Sequence, residues 1–147
     1  MLSATRVQTK EQLEQCLHIR REVFVREQGV SIEEELDHYD ESPESCIHVL
    51  LTDDAAPVGT GRVKAFEGSS AKLQRIAVLA SMRGRGAGSA IVQAMEQAAR
   101  EAGYGRAVLD AQCQAEPFYA KLGYKPVSPD IFLDAGIPHV RMSKELS

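Results

Sequence analysis

The segment formed by residues 72–103 constrains the fold of this chain most, because it joins a strand, a glycine-rich loop and a helix in that order. Residues 72–78 have the length and the apolar content of a strand. From Gly86 to Ala102, small and apolar side chains recur at helical spacing, and Gly103 follows as a stop signal. The segment therefore predicts a domain in which a strand leads through a tight loop into a long helix.

The loop of this segment has a composition suited to an anion. Its glycines leave the first N–H groups of the helix uncovered by side chains, so phosphate oxygens can approach the positive end of the helix. The two arginines add fixed charge, and a charge-assisted hydrogen bond contributes about 1.5–3 kcal/mol. We expect a pyrophosphate site, although the glycine spacing alone is equally compatible with a turn that binds nothing. The residues of the loop are Arg83, Gly84, Arg85, Gly86, Ala87, Gly88 and Ser89.

Two other phosphate-binding motifs do not match this loop. A Walker loop requires Gly-Lys-Ser/Thr after four spacers, whereas Gly88 is followed by Ser89 and Ala90. A dinucleotide fingerprint requires Gly-x-Gly-x-x-Gly, and the chain has Gly-x-Gly-x-Gly. Asp110 follows the glycines at a sequence separation suitable for a ribose contact. Only about forty residues come after it, however, which is too few for a doubly wound sheet.

Composition favours one domain that spans residues 1–147. A chain of this length buries about 68–70% of its unfolded surface, enough for a single core. The formal net charge of -4 argues against a nucleic-acid partner. Without an apolar leader or a membrane-spanning run, the sequence predicts a cytoplasmic protein with no membrane contact. Cys16, Cys46 and Cys113 are odd in number and share no Cys-x-x-Cys spacing, so we expect neither a disulfide framework nor a metal site.

Propensity and turn chemistry divide the chain into alternating strands and helices. A strand at residues 5–8 precedes a capped helix that starts at Thr9 and ends near Gln28. Residues 46–52, 58–66 and 72–78 should form an antiparallel meander. A strand at 106–111, a short helix at 116–122 and strands near Tyr124 and Val140 complete a mixed sheet flanked by helices. Residues 31–45 and 126–138 are the least regular segments.

Two motifs resemble those of the GNAT superfamily of acyl-CoA-dependent N-acetyltransferases. Residues 83–88 match its Gln/Arg-x-x-Gly-x-Gly/Ala signature. Residues 112–124 are similar to its second motif, Asn-x-x-Ala-x-x-Phe/Leu-Tyr-x-Lys-x-Gly-Phe/Tyr. Residues 20–28, with the pattern Arg-x-x-Val-Phe-Val-x-Glu-Gln, and residues 136–139 resemble a branch of small bacterial members. The resemblance implies an α/β (α+β) fold with a mixed, mostly antiparallel central sheet flanked by helices, and acetyl-CoA as the cosubstrate with no metal.

The resemblance also assigns the cofactor site residue by residue. Tyr119 stands where the family has the tyrosine that donates a proton to the sulfur of CoA; its alternative role is packing in the core. Phe118 belongs to the same motif and is counted with the cofactor-binding residues, although it is also the residue of the pair expected to face the core. Gln112 replaces the asparagine that often holds the pantetheine arm. The backbone of Ile76, Ala77 and Val78 is expected to contact that arm and the thioester carbonyl.

Acyl transfer to an amine also requires a base and a leaving-group acid. Deprotonating an alkylamine with a pKa of about 10.4 at neutral pH costs about 4–5 kcal/mol, so a general base is expected. Glu27 and His139 are the candidates, and the alternatives are a solvated carboxylate and a packed histidine. The acid should contribute no more than about 10²–10⁴ in rate.

The expected function is transfer of an acetyl group from acetyl-CoA to a primary amine of a small molecule by direct attack. The alternative is a non-catalytic module that binds acyl-CoA as a sensor or scaffold. Residues 27–44 contain eight acids and no lysine or arginine, with Arg26 just before them, so a cationic acceptor is expected if this segment lines the acceptor site, and a solvated face if it does not. A homodimer is a further expectation, by analogy with the family.

Overall fold

Seven strands form one mixed sheet in residues 1–146, which are the residues that the computed structural model describes. The strands are β1 (Leu2–Arg6), β2 (Ile47–Asp53), β3 (Ala56–Ala65), β4 (Ser70–Val78), β5 (Arg106–Gln112), β6 (Lys125–Asp134) and β7 (Ile137–Glu145). The helices are α1 (Lys10–Arg20), a π-helical segment (Arg21–Glu27), α2 (Ile32–Glu35), α3 (Ala87–Glu101) and α4 (Glu116–Lys121). The strand order is β1-β2-β3-β4-β5-β7-β6.

The sheet opens between β4 and β5, the one pair of neighbouring strands in residues 1–146 that runs parallel. These two strands pair only from Ser70 opposite Arg106 to Leu73 opposite Leu109. Beyond that point β4 remains paired with β3, and β5 with β7. The sheet is therefore mixed and mostly antiparallel, as expected, and a cleft lies between the carboxyl ends of its two central strands.

A bulge in β4 lies at the edge of this cleft. Thr60 of β3 pairs with Ala77, and Arg62 pairs with Gln74, so β4 carries an additional residue between the two pairs. Arg75 has a φ of 56°, in the left-handed region that non-glycine residues occupy at a cost of about 1–3 kcal/mol. Bulges bend the strand and redirect its side chains. The bulge turns the end of β4 away from β5.

Two helices cover opposite faces of the sheet. Helix α1 starts at a capping box in which the Thr9 side chain accepts from the Gln12 N–H at 3.1 Å, as the sequence predicts. It packs on one face and α3 on the other, and each buries its own cluster of apolar side chains. At Gly61 of β3 a side chain would collide with the sulfur of Met95, so glycine there lets α3 lie close to the sheet.

Two boundaries differ from the sequence expectation. The first strand lies at Leu2–Arg6, earlier than residues 5–8. Residues 126–138 are not a loop, because β6 and β7 form an antiparallel hairpin there. Pro126 and Pro129 are tolerated in β6 since it is the last strand of the sheet, where one side needs no N–H donors. No helix in residues 1–146 has the length and apolar character needed to cross a membrane.

Candidate active site

A groove of about 480 Å³ occupies the cleft between β4 and β5. Its two walls are the carboxyl half of β4 and, opposite it, the ends of β5 and of the β6–β7 hairpin, and the π-helical segment and α2 also line it. The carboxyl half of β4 lies along it, including Ile76, Ala77 and Val78. All three candidates for proton transfer, Tyr119, Glu27 and His139, line this one groove. The fold thus brings together residues that are far apart in sequence.

The loop before α3 has the backbone geometry that an anion site requires. Gly84 and Gly86 both have a φ of +82°, and a Cβ at either position would have no atom within 4 Å. Gly86 is the N-cap of α3, and no side chain caps the helix. The first turn, which contains Ala87, Gly88 and Ser89, therefore offers open N–H groups at the positive end of a helix of 15 residues. These residues fit a diphosphate.

Phe118 and Tyr119 differ in burial, and Phe118 is the more exposed of the two, contrary to expectation. Phe118 is 37% exposed, whereas Tyr119 is 9% exposed. The Phe118 ring lies against the first turn of α3, where a Cβ on Gly88 would be 3.1 Å from its Cζ. Tyr119 is buried because its ring makes edge contacts with both Phe118 and Tyr124. The expectation that Phe118 faces the core was wrong, and the ring instead lies beside the glycine loop.

Burial sets the protonation state of Tyr119. It raises the pKa of the Tyr119 hydroxyl to about 12, because the phenolate would lie in a poorly solvated site. Among the described residues, the hydroxyl has no hydrogen-bond partner in the protein. A neutral, unpaired hydroxyl that lines the groove is able to donate a hydrogen bond to a ligand there.

The two arginines of the loop differ in their contacts. Arg83 donates from Nε and Nη2 to the Val78 carbonyl at 3.2 and 3.0 Å. Its Nη2 also lies 2.7 Å from Oε1 of Glu27, at the end of the π-helical segment. Arg83 therefore links the loop to the end of β4 and to the π-helical segment, while the exposed Arg85 of the same loop forms no ion pair within residues 1–146.

Gln112 is the last residue of β5 and faces the same groove. Its side-chain amide pairs with that of Gln28: Gln112 Nε2 donates to Gln28 Oε1 at 2.9 Å, and the reverse contact is 3.5 Å. Gln114 donates to Gln112 Oε1. Gln28 was not predicted as a site residue, although it lies beside Glu27 in the motif at residues 20–28.

His139 is held in one tautomer. Its Nδ1 lies 2.6 Å from the Ile137 carbonyl oxygen. Because a carbonyl oxygen only accepts, Nδ1 carries the proton, and Nε2 of the neutral ring keeps its lone pair. The ring stacks on Phe132, with centroids 6.1 Å apart, and stands opposite Gln112 in the β5–β7 register. His139 is thus a fixed imidazole with a basic nitrogen.

The acidic segment, residues 27–44, is neither wholly exposed to solvent nor only a lining of the acceptor site. Three of its acids, Glu35, Asp37 and Asp40, form ion pairs with the buried residues Arg20 and Arg62. Arg20 Nε lies 2.6 Å from Glu35 Oε1, and its Nη1 lies 2.6 Å from Asp40 Oδ1. Glu35 is 2% exposed. This ion-pair network was not foreseen, because its members are distant in sequence.

The lining of the groove keeps an excess of negative charge. Five carboxylates and three cationic side chains line it, and two of the carboxylates, Glu34 and Asp134, form no ion pair within residues 1–146. The carboxylates are Glu27, Glu34, Glu35, Asp110 and Asp134, and the cations are Lys72, Arg75 and Arg83. In residues 1–146, no three His, Cys, Asp or Glu side chains are placed to hold a metal ion.

A sheet that opens beside an uncapped, glycine-rich helix start, with a tyrosine and a histidine in the opening, defines an acyl-CoA-dependent N-acetyltransferase. The sequence profile described as "Acetyltransferase (GNAT) domain" matches residues 7–146, so the chain belongs to the GNAT acetyltransferase family. The resemblance noted in the sequence is thereby confirmed. Members of the family transfer acyl groups from coenzyme A.

Individual relatives agree with this assignment. The chain is 44% identical over 144 residues to YjcF of Bacillus subtilis (strain 168), described as an uncharacterized N-acetyltransferase, with 98% of this chain and 100% of that protein covered. The crystal structure of Escherichia coli ElaA has a TM-score of 0.84 at 23% identity, covering 99% of this chain and 100% of ElaA. An acyl-CoA N-acyltransferase from Pseudomonas aeruginosa has a TM-score of 0.81 at 22% identity, covering 98% and 99%. The two structures share the fold.

Proposed function

We propose that the protein transfers an acetyl group from acetyl-CoA to a primary amine of a small molecule by direct attack of the amine on the thioester. The observation that carries the proposal is the groove itself, which runs along β4 and is lined by both Tyr119 and His139. The open helix start of α3 follows β4 directly in the chain. An elongated ligand with a diphosphate at one end and a thioester further along fits this order.

In this proposal the protein binds the diphosphate with the N–H groups of the first turn of α3. Gly84 and Gly86 allow the backbone to approach closely, and Arg85 adds charge at the mouth. The backbone of Ile76 and Val78 contacts the pantetheine arm, because the end of β4 has no partner on the side of β5. Gln112 contacts the arm from the opposite wall. These contacts hold the reacting carbonyl in place.

Tyr119 assists departure of the thiolate by donating a hydrogen bond from its hydroxyl to the sulfur. Its raised pKa keeps the hydroxyl protonated throughout the neutral range. The same burial disfavours a free thiolate in the groove and so increases the value of a hydrogen bond to it. Thiols are tolerable leaving groups, with a reference pKa of about 8.5, so this donor accelerates a reaction that remains possible without it.

His139 accepts the proton of the attacking amine in this proposal. Its Nε2 is the unprotonated nitrogen, and the hydrogen bond from Nδ1 to Ile137 fixes the ring. Glu27, the other candidate, already shares its carboxylate with Arg83 at 2.7 Å. Proton transfer to Glu27 would disrupt its contact with Arg83, whereas Nε2 of His139 accepts no hydrogen bond within residues 1–146. We therefore favour His139.

The acceptor is proposed to be cationic. The two lining carboxylates that form no ion pair within residues 1–146 favour a ligand that carries more than one ammonium group, since one ammonium loses its charge on reaction. The exposed carboxylates of Glu34 and Asp134 are available for a second one. A cytoplasmic location is also proposed, in keeping with three cysteines that are all free.

The test combines calorimetry with a thiol-release assay. Acetyl-CoA should bind to the purified protein, and a panel of diamines, monoamines and amino acids should then be compared at equal concentration for thiol release. We expect the highest kcat/KM with a diamine and a decrease as salt is added, because screening weakens charge attraction. Binding of acetyl-CoA without thiol release for any acceptor would contradict the transfer and favour a binding module.

A further inference from the structure

Two adjacent residues at the end of the π-helical segment contact opposite walls of the groove. Glu27 reaches Arg83 on the side of β4, with Oε1 and Nη2 separated by 2.7 Å. Gln28 reaches Gln112 on the side of β5, where the two amides exchange hydrogen bonds. No other neighbouring pair in residues 1–146 has side-chain hydrogen bonds to both walls.

The contact of Glu27 extends to β4 through Arg83. The guanidinium donates twice to the carbonyl of Val78, the last residue of that strand, and once to Glu27. Glu27 therefore neutralises and orients a side chain that also holds the end of β4. The orientation matters because Arg83 starts the loop that leads into α3.

The contact of Gln28 extends to β5 through Gln112. The Gln112 amide is fixed on both sides, since it donates to Gln28 and accepts from Gln114. Gln112 ends β5 just beyond the point at which β5 leaves β4. Gln28 therefore restrains the wall of the groove that faces Val78.

A π-helical turn precedes the contacts of Glu27 and Gln28 with the groove. The Gln28 N–H donates to the Val23 carbonyl at 3.2 Å, five residues earlier, which is the spacing of a π turn. Successive residues of a helix project in different directions around its axis. Glu27 and Gln28 thus face different walls, and π turns are frequent at functional sites.

We propose that Glu27 and Gln28 are positioning residues that set the separation of the two groove walls. Glu27 acts through Arg83, Gln28 acts through Gln112, and neither removes the proton of the acceptor. The inference rests on the proposed function, in which the acyl-CoA arm lies between these walls.

The first test separates positioning by Glu27 from general-base catalysis. Glu27→Ala should weaken acetyl-CoA binding about 2–5-fold in calorimetry, the effect of losing a half-exposed ion pair. Glu27→Gln keeps an oxygen that accepts a hydrogen bond from Arg83. Its affinity for acetyl-CoA should therefore lie within about twofold of wild type, and its kcat should fall less than about fivefold. The acidic limb of the pH–rate profile should persist in Glu27→Gln.

The control for this test is Glu22→Gln in the same π-helical segment. Glu22 forms an ion pair with Arg26 at 3.0 Å and does not line the groove, so acetyl-CoA binding and kcat should not change. A kcat for Glu27→Gln as low as that of Glu27→Ala, reduced by about 10²–10⁴ with the acidic limb lost, would overturn positioning and identify a base.

The second test is a double-mutant cycle on acetyl-CoA affinity. Gln28→Ala and Gln112→Ala should each weaken binding about 2–10-fold, and the double variant should bind no more weakly than Gln112→Ala alone. Losses that simply multiply would show that Gln28 does not act through Gln112 and would overturn its role. Melting temperatures of the four proteins verify that each is folded.

The two proposals fail in different ways. The calorimetric cycle requires binding of acetyl-CoA and no turnover. If wild type binds acetyl-CoA without releasing thiol for any amine, acetyl transfer is refuted, whereas the affinities of the Gln28 and Gln112 variants still decide the positioning role. If turnover is normal and the cycle is additive, only the positioning role is refuted.

Discussion

Tyr119 and Phe118 show how neighbouring residues divide a site between them. Both rings belong to one short helix, yet one is buried in the groove wall and the other lies beside the glycine loop. The buried ring keeps its hydroxyl protonated, and the exposed ring limits the space at Gly88. Sequence spacing indicates that the two face different directions but not which one faces inward, because that depends on Tyr124 across the core.

Replacing Tyr119 by Phe should affect turnover and leave cofactor affinity nearly unchanged. The substitution keeps the ring that packs on Tyr124 and removes only the donor to the sulfur. We expect kcat to fall by about 10–10³ and the calorimetric Kd for acetyl-CoA to stay within about twofold. An equal loss in both quantities would reassign Tyr119 to packing.

Replacing His139 by Gln should reduce kcat by about 10²–10⁴ at neutral pH, because the amide cannot accept a proton from the amine. The acidic limb of the pH–rate profile should disappear with the imidazole. Phe132→Leu is the control: it removes only the stacked ring, so the limb should remain. A His139→Gln enzyme with the limb intact would contradict the assignment of His139 as the base.

At the scale of elements, the sequence predicted best where structure is local. The capping box at Thr9, the start of α3 and the meander were all anticipated, because each depends on residues close together in the chain. The π-helical segment and the bulge at Arg75 were not. A left-handed arginine carries no propensity signal, and its side chain hydrogen-bonds to the Glu35 carbonyl, 40 residues away in the sequence, at 3.1 Å.

The start of α3 permits a test in which backbone strain is held constant. Gly86→Ala should abolish most acetyl-CoA binding, because its Cβ enters the space that the diphosphate needs, and it should cost about 1–2 kcal/mol of stability at a φ of +82°. Gly68→Ala, in the β3–β4 turn at a φ of +58°, should show a similar stability cost.

The two variants should therefore lose similar melting temperature, and only Gly86→Ala should lose acetyl-CoA binding in calorimetry. A Gly86→Ala protein that binds acetyl-CoA with the affinity of wild type would contradict the assignment of the helix start to the diphosphate.

At the scale of the whole molecule, ion pairs connect the acidic segment, residues 27–44, to helix α1 and strand β3. Arg20 of α1 and Arg62 of β3 are each 1% exposed, and both contact Asp40. Removing one partner from such a buried network leaves an unpaired charge, at a cost of about 3–5 kcal/mol. Composition showed the acids but not their partners, since ion pairs across 15–25 residues of sequence follow only from the folded arrangement. This is why part of the groove wall could not be predicted.

The ion pairs of Asp40 with Arg20 and Arg62 should make the free energy of unfolding depend on pH in the acidic range. Burial alone would raise the pKa of the Asp40 carboxyl, but the hydrogen bonds and charge of Arg20, with the charge of Arg62, outweigh it and lower the pKa to about 2. Because the reference pKa is 3.8, the ionised carboxylate stabilises the fold fully above that pH, and the contribution is lost as pH falls toward 2. It amounts to about 2 kcal/mol.

We measure the free energy of unfolding in urea at pH 5 and at pH 2. Between these two values it should decline by about 2 kcal/mol more for wild type than for Asp40→Asn. At pH 7 the variant should be less stable, because Arg20 and Arg62 lose a shared charge. Glu33→Gln is the control, since Glu33 is exposed and forms no ion pair within residues 1–146, so its profile should follow wild type. Identical slopes for wild type and Asp40→Asn would mean that other carboxylates, and not this network, govern unfolding in acid.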